Sequence, residues 1–151
     1  MNDRDLAIDR KIQELLDRES LRNLAIRYCH FVRAGEIDKI VDLYADDAGF
    51  ELPPGLKEGL SGQHDGRSSI RASLVAGLPL YKPWPFVHNH MIEFLTDDTA
   101  RGWLHSEVRF GTRNLETGMI VAYEDDYVRE RGIWKFKNRK VNATFLGNSV
   151  P

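Results

Sequence analysis

One cysteine, Cys29, stands in 151 residues, which excludes an internal disulfide and any zinc site built on several thiolates. Long apolar runs are missing too. None approaches the roughly 20 residues that span a bilayer, and Met1-Asn2-Asp3-Arg4-Asp5 lacks the basic-then-apolar order of a secretory signal; a cytoplasmic chain without a membrane partner is expected. Charge of one sign is not in excess, because 21 Lys and Arg face 23 Asp and Glu for a net charge of -2. Such a balance supplies no broad field for a phosphate backbone, so nucleic acid is not an expected partner. No Gly-x-Gly-x-x-Gly or Walker-type loop occurs; Ser61 to Arg67 contains glycine but follows no clear strand and reads as a turn, so no nucleotide is expected. His88 and His90 could offer two nitrogens, yet nothing at ligand spacing completes a set, and no metal or other cofactor is predicted.

What the chain has is a 42% hydrophobic, 29% charged composition, suited to one globular domain over residues 1–151. From Asp5 to Ala34, apolar residues recur at spacings of three and four, which predicts two helices with a break near Asp17 and a stop at Gly35. A third helix is expected over Glu36 to Tyr44, closed by Asp46-Asp47. A short strand over Phe50 to Leu52 and a helix over Arg67 to Ala76 follow. Residues 78–85 hold three prolines with Tyr81 and Trp84, and read as a loop or lid. Four strand-like runs complete the chain: Phe86 to Thr96, Thr99 to Thr112, Met119 to Glu130 and Ile133 to Phe145. Their spacing is that of antiparallel hairpins, giving an α+β class with N-terminal helices packed on a curved antiparallel sheet.

The segments "LRNLAIRYCHFVRAGEIDKIVDLYADDAGF", "HNHMIEFLTDDTARG" and "YEDDYVRERGIWKF", in this order, resemble the SnoaL-like branch of the nuclear transport factor 2-like superfamily over about residues 10 to 145. The resemblance implies a cone-shaped α+β barrel around an apolar pocket. It is strongest to the group holding scytalone dehydratase, hexachlorocyclohexane dehydrochlorinase and bile acid 7α-dehydratase. Those cofactor-free lyases use a His base, an Asp that orients it, and often a Tyr on the first long helix. Tyr28 matches that Tyr. The Asp position falls on Arg33 and the usual His falls near Pro85, so the standard dyad is not present as written. The resemblance also implies association through the outer sheet face, as a homodimer or homotrimer.

Strand parity nominates replacements, since alternate residues face opposite sides of a sheet. Ile92 and Phe94 are apolar, so His88 and His90 are expected on the same inward face, either one available as a general base. Tyr28, among Leu21, Leu24, Ala25 and Phe31, is expected to be buried with a hydroxyl that needs a partner. His30, about 200° around the helix from Tyr28, is read as surface or interface. On the next strand Ser106 shares the inward side with Leu104, Val108 and Phe110, which sends Trp103, His105, Glu107 and Arg109 outward. Asp125 shares its parity with Met119, Val121, Tyr123 and Tyr127 against Ala122, Glu124, Asp126 and Val128, and could replace the missing carboxylate by orienting a His or by acting as base itself, or stand as a half-exposed charge paired with a neighbouring Arg. On the last strand Arg139 and Asn142 have opposite parity, so at most one is a pocket residue; Asn142 shares its parity with Trp134 and Phe136. Arg33, Tyr44, Trp84, Phe86, Ser106 and Asn142 are the candidate substrate-binding residues, with Trp84 and Phe86 at the mouth.

Together these readings favour a lyase of the dehydratase type, acting on a small apolar or aromatic substrate such as a hydroxylated polycyclic or steroid-like compound. A double-bond isomerase or polyketide cyclase would need the same pocket. Arg33 and Pro85 at the dyad positions favour the other class, a binding or assembly module without catalysis.

Overall fold

The computed structural model describes residues 1–111 and 115–147. Along the chain run α1 (Asp3–Ala34), α2 (Ile37–Val41), β1 (Tyr44–Leu52), β2 (Gly62–Asp65), α3 (Arg67–Tyr81), β3 (Pro83–Phe94), β4 (Thr99–Phe110), β5 (Gly118–Glu130) and β6 (Ile133–Leu146). The expected question of whether residues 146–151 close over a pocket falls, from Asn148 onward, outside the described residues.

No Gly or Pro occurs before Gly35, so nothing interrupts the helical period and α1 is one helix of 32 residues rather than two. Asn2 and Asp5 form a capping box at its start, and Gly35, at φ 70°, supplies the left-handed residue that ends it. Asp17 is no cap. It is buried within the helix, where its Oδ1 accepts hydrogen bonds from Arg129 Nη1 at 2.8 Å and Trp134 Nε1 at 3.1 Å, tying α1 to the β5–β6 hairpin. Leu21, Leu24, Ala25, Tyr28, Cys29 and Val32 form the buried stripe of α1.

Sequence boundaries shift where tertiary pairing decides. Tyr44, Asp46 and Asp47 belong to β1, and Gln63 to Asp65 pair with β1 as β2 instead of forming only a turn. The expected lid at 78–85 does not exist: α3 runs on through Pro79 to Tyr81, Lys82 turns the chain at φ 46°, and β3 begins at Pro83. Proline is tolerated there because β3 is an edge strand with one side unpaired.

The sheet order is β2-β1-β6-β5-β4-β3. All pairs are antiparallel except β1 with β6, which is parallel. The α+β cone expected from the sequence is therefore built on a mixed, open sheet with edges at β2 and β3, where an antiparallel barrel was expected. Leu104, Tyr127, Phe136 and Val121 are among its buried inner residues.

Two bulges set which side chains face inward. In β3 the pairing skips from Val87↔Ser106 to Asn89↔His105, leaving His88 as the extra residue. In β6 it skips from Tyr127↔Phe136 to Asp126↔Asn138, leaving Lys137 extra. Each bulge inverts parity for the rest of its strand.

Candidate active site

The β3 bulge separates the two histidines. His88 is exposed on the outer face, with Nε2 3.4 Å from Glu107 Oε2. This corrects its expected inward position: the extra residue breaks the alternation that Ile92 and Phe94 suggested. His90, beyond the bulge, pairs with inward-facing Leu104 and is half-buried. Its Nε2 lies 3.0 Å from Tyr127 Oη, and the Tyr127 hydroxyl donates to Asp125 Oδ2 at 3.0 Å.

Asp125 is fully buried and clasped by Arg139, whose Nε reaches Oδ1 at 2.9 Å and whose Nη2 reaches Oδ2 at 3.2 Å. The β6 bulge puts Arg139 there. Trp134 and Phe136 face inward before Lys137, Arg139 and Val141 face inward after it, and Asn142 is turned out to bond Ala122 O. Asn142 is thus not a pocket residue, and Arg139 takes the place that simple parity assigned to it. A stretch of simple alternation could not reveal this, since an extra residue leaves no mark in apolar spacing.

Arg139 is enclosed by aromatic rings, with its guanidinium carbon 4.3 Å from the Tyr28 centroid, 3.9 Å from Tyr123 and 4.4 Å from Phe136. Burial, the largest influence, opposes the Arg139 charge, but Asp125 together with Tyr123, Tyr28 and Tyr44 outweighs it and the net shift is upward. Burial raises Asp125, while the Arg139 charge pulls back. Burial also holds the Tyr28, Tyr44, Tyr123 and Tyr127 hydroxyls above their ordinary range, so all four keep their protons at neutral pH. His90 is lowered to about 4, first by burial and then by the positive charges of Arg139 and Arg22. It is therefore a neutral imidazole at physiological pH, the form a general base needs.

Against this polar chain lies an apolar cavity with about 90 Å³ of free space. Tyr28 and Tyr123, the rings that cover Arg139, form part of its wall; Pro83, Pro85, Val108, Phe110 and Val141 line the strand side, and Leu74, Gly77, Leu78 and Tyr81 the α3 side. Leu56 and Leu60 from the turn after β1 complete the lining. That turn is pinned by Lys57 N donating to Tyr81 Oη at 2.8 Å and by Ser61 Oγ donating to Pro53 O at 2.7 Å. Pro85, where the family resemblance expected the base, is a wall residue. His90 is not among the lining residues.

Other candidates are placed elsewhere. Trp84 and Phe86 are exposed, and so are not at the mouth: they precede the bulge at outward positions. Arg33 stacks on Trp84 at 4.1 Å and donates to Gly111 O at 3.2 Å, fastening the end of α1 to the end of β4 outside the cavity. Ser106 faces inward as its strand parity predicts, but its hydroxyl is spent on Phe86 O at 2.7 Å and does not line the cavity. Tyr44 is fully buried beside Tyr28, Phe50 and Phe136, and among the described residues Arg139 Nη1 has no hydrogen-bond partner. His30 and His105 are exposed. Sequence reasoning left Arg139 and Asn142 as alternatives and missed Tyr127 as a link and the turn residues Leu56 and Leu60; for Tyr127 the signal was its shared parity with Asp125. Among the described residues, no three His, Cys, Asp or Glu side chains converge as a metal site would require. Among the same residues, no helix is long and apolar enough to cross a membrane.

An open α+β cone whose helix and curved sheet enclose an apolar cavity over a buried polar chain defines a class of small domains used for many purposes. Within that class the chain belongs to the SnoaL-like domain family, whose model matches residues 13–140. Its fold is similar to that of a Novosphingobium aromaticivorans protein designated a candidate scytalone dehydratase, at 17% identity and TM-score 0.76 with 93% of each chain covered. Similar too is a hexachlorocyclohexane dehydrochlorinase from Novosphingobium barchaimii, at 18% identity and TM-score 0.74, covering 93% of this chain and 99% of that one. A Nostoc punctiforme protein of unknown function with a cystatin-like fold matches at 18% identity and TM-score 0.73, covering 85% and 92%. No curated protein matches the chain.

Proposed function

We propose that this chain is a cofactor-independent lyase of the dehydratase type, acting on a small hydroxylated aromatic or polycyclic compound. The observation that carries the reading is a neutral His90 anchored through Tyr127 to Asp125 and Arg139, with Arg139 covered by the Tyr28 and Tyr123 rings that wall an apolar cavity. In the elimination His90 takes a proton from the carbon next to a carbonyl, the freed electron pair forms the C=C bond, and the C–O bond breaks. Tyr28, which burial keeps protonated, donates to the departing hydroxyl, so that water leaves. Proton exchange then restores both groups. The similarity in fold to a dehydrochlorinase and a dehydratase candidate agrees with this reaction type. An isomerase would use the same base and return the proton to another carbon.

The reaction requires the reacting end of the substrate to pass the Tyr28 ring towards His90. That requirement favours one second reading, a binding module whose apolar cavity holds a ligand without converting it, because His90 does not line the cavity. Turnover of a panel of aromatic hydroxyketones and hydroxysteroids, followed by mass spectrometry, separates the two. Loss of 18 mass units (one water) by native protein but not by His90→Gln supports the lyase; ligand retained unchanged, with a raised melting temperature, supports the binder. We further propose a cytoplasmic homodimer or homotrimer joined through the outer sheet face, where Trp84, Phe86, Met91 and Ile120 are exposed.

A further inference from the structure

We infer that Tyr127 is the positioning residue of the site, holding His90 in the tautomer that carries its proton on Nε2 and leaves Nδ1 as the free base. This deepens the lyase reading and rests on it only for its catalytic consequence. Counting protons along the chain fixes the direction of each bond. Arg139 directs two N–H groups onto the Asp125 carboxylate, from Nε to Oδ1 at 2.9 Å and from Nη2 to Oδ2 at 3.2 Å. A carboxylate so clasped is an anion, with oxygens that only accept. Tyr127 Oη, 3.0 Å from Oδ2, must therefore spend its one proton on Asp125. Its oxygen is left as an acceptor 3.0 Å from His90 Nε2, and the contact closes only if Nε2 is the donor. The chain Arg139, Asp125, Tyr127, His90 is a base oriented by a carboxylate with a phenol inserted between them.

The room for that phenol is built into the neighbouring strand. A Cβ at Gly102 would lie 2.6 Å from both Tyr127 Cε2 and Tyr127 Oη, closer than atoms can approach. Gly102 is at an ordinary backbone conformation, so its lack of a side chain serves space and not a turn. The groups that act on His90 are Tyr127 from β5, Arg139 from β6 and Arg22 from α1, with Asp125 behind Tyr127. None of the others takes the place of Tyr127 on Nε2.

The test is a nitrogen-15 NMR spectrum of the imidazoles in the native full chain at pH 7, assigned with His90→Gln, beside Tyr127→Phe and Gly102→Ala. Native protein is expected to show His90 Nε2 as the protonated nitrogen, coupled to a slowly exchanging proton, with Nδ1 unprotonated. Tyr127→Phe keeps the ring and its packing but removes the acceptor, so that slow proton should exchange at least tenfold faster. Gly102→Ala should do the same with the Tyr127 hydroxyl still present. An unprotonated Nε2 in native protein overturns the inference, as does a slow Nε2 proton that survives in Tyr127→Phe. Because the spectrum needs no substrate, an absence of turnover sinks the lyase reading alone and leaves this one judged on its own result.

Discussion

At the scale of single residues, the buried pair Asp125–Arg139 dominates. Removing one partner of a buried pair leaves the other charge without compensation, which typically costs about 3–5 kcal/mol. Asp125→Ala should lower stability by an amount in that range, read as a drop in the urea midpoint at unchanged slope, whereas Arg139→Met combined with Asp125→Leu should recover most of the loss. A second prediction concerns His90. Its ordinary pKa is near 6.5 and the folded value is about 4, so between these the unfolded chain binds a proton that the folded chain excludes. Stability from this residue is complete above about pH 6.5 and declines as pH falls towards about 4. Urea midpoints measured from pH 7.5 to 4.5 should fall more steeply for native protein than for His90→Gln; parallel curves would contradict the assignment.

At the scale of elements, the two bulges do the sorting. Lys137 is the extra residue of β6, and its own side chain forms an ion pair with Asp47 outside. Deleting Lys137 restores plain alternation, which turns either Phe136 and Trp134 or Arg139 and Val141 outward. The deletion should abolish the cooperative unfolding transition seen by circular dichroism, whereas Lys137→Ala, which keeps the bulge and loses an exposed ion pair, should leave the transition cooperative and its midpoint nearly unchanged. His88 marks the corresponding position in β3. The periodicity of Ile92 and Phe94 is legible in the sequence and correctly carries His90 inward, but it stops being informative at the bulge. The prolines of the 78–85 stretch misled for a related reason: Pro83 and Pro85 break a central strand, yet an edge strand accepts them, and edge or centre is a property of the assembled sheet.

At the scale of the whole molecule, residues 1–16 of the chain are all exposed, including Leu6, Ile8, Ile12, Leu15 and Leu16. The first half of α1 projects beyond the core that its second half helps to build. Removing residues 1–9 should therefore shift the melting temperature by no more than a few degrees, as for any segment without buried contacts. Calorimetry of the truncated and full chains checks this.

What the amino-acid order determined alone is local and periodic: a first helix ended by Gly35, four long strands in sequence, a buried Tyr28, and an inward Asp125 among tyrosines. These follow from spacing, from the absence of breakers and from the conformations that Gly permits, all of which are read within a few residues. Tertiary structure alone decided that Asp17, inside that unbroken helix, is buried, because it finds Arg129 and Trp134 more than a hundred residues away. It also decided that Arg139 is inside and Asn142 outside, and that His90 and Asp125 meet through Tyr127. The physical reason is common to all three. A bulge, an edge or a distant hydrogen-bond partner exists only once strands have paired, and no side chain's own neighbours in sequence record it.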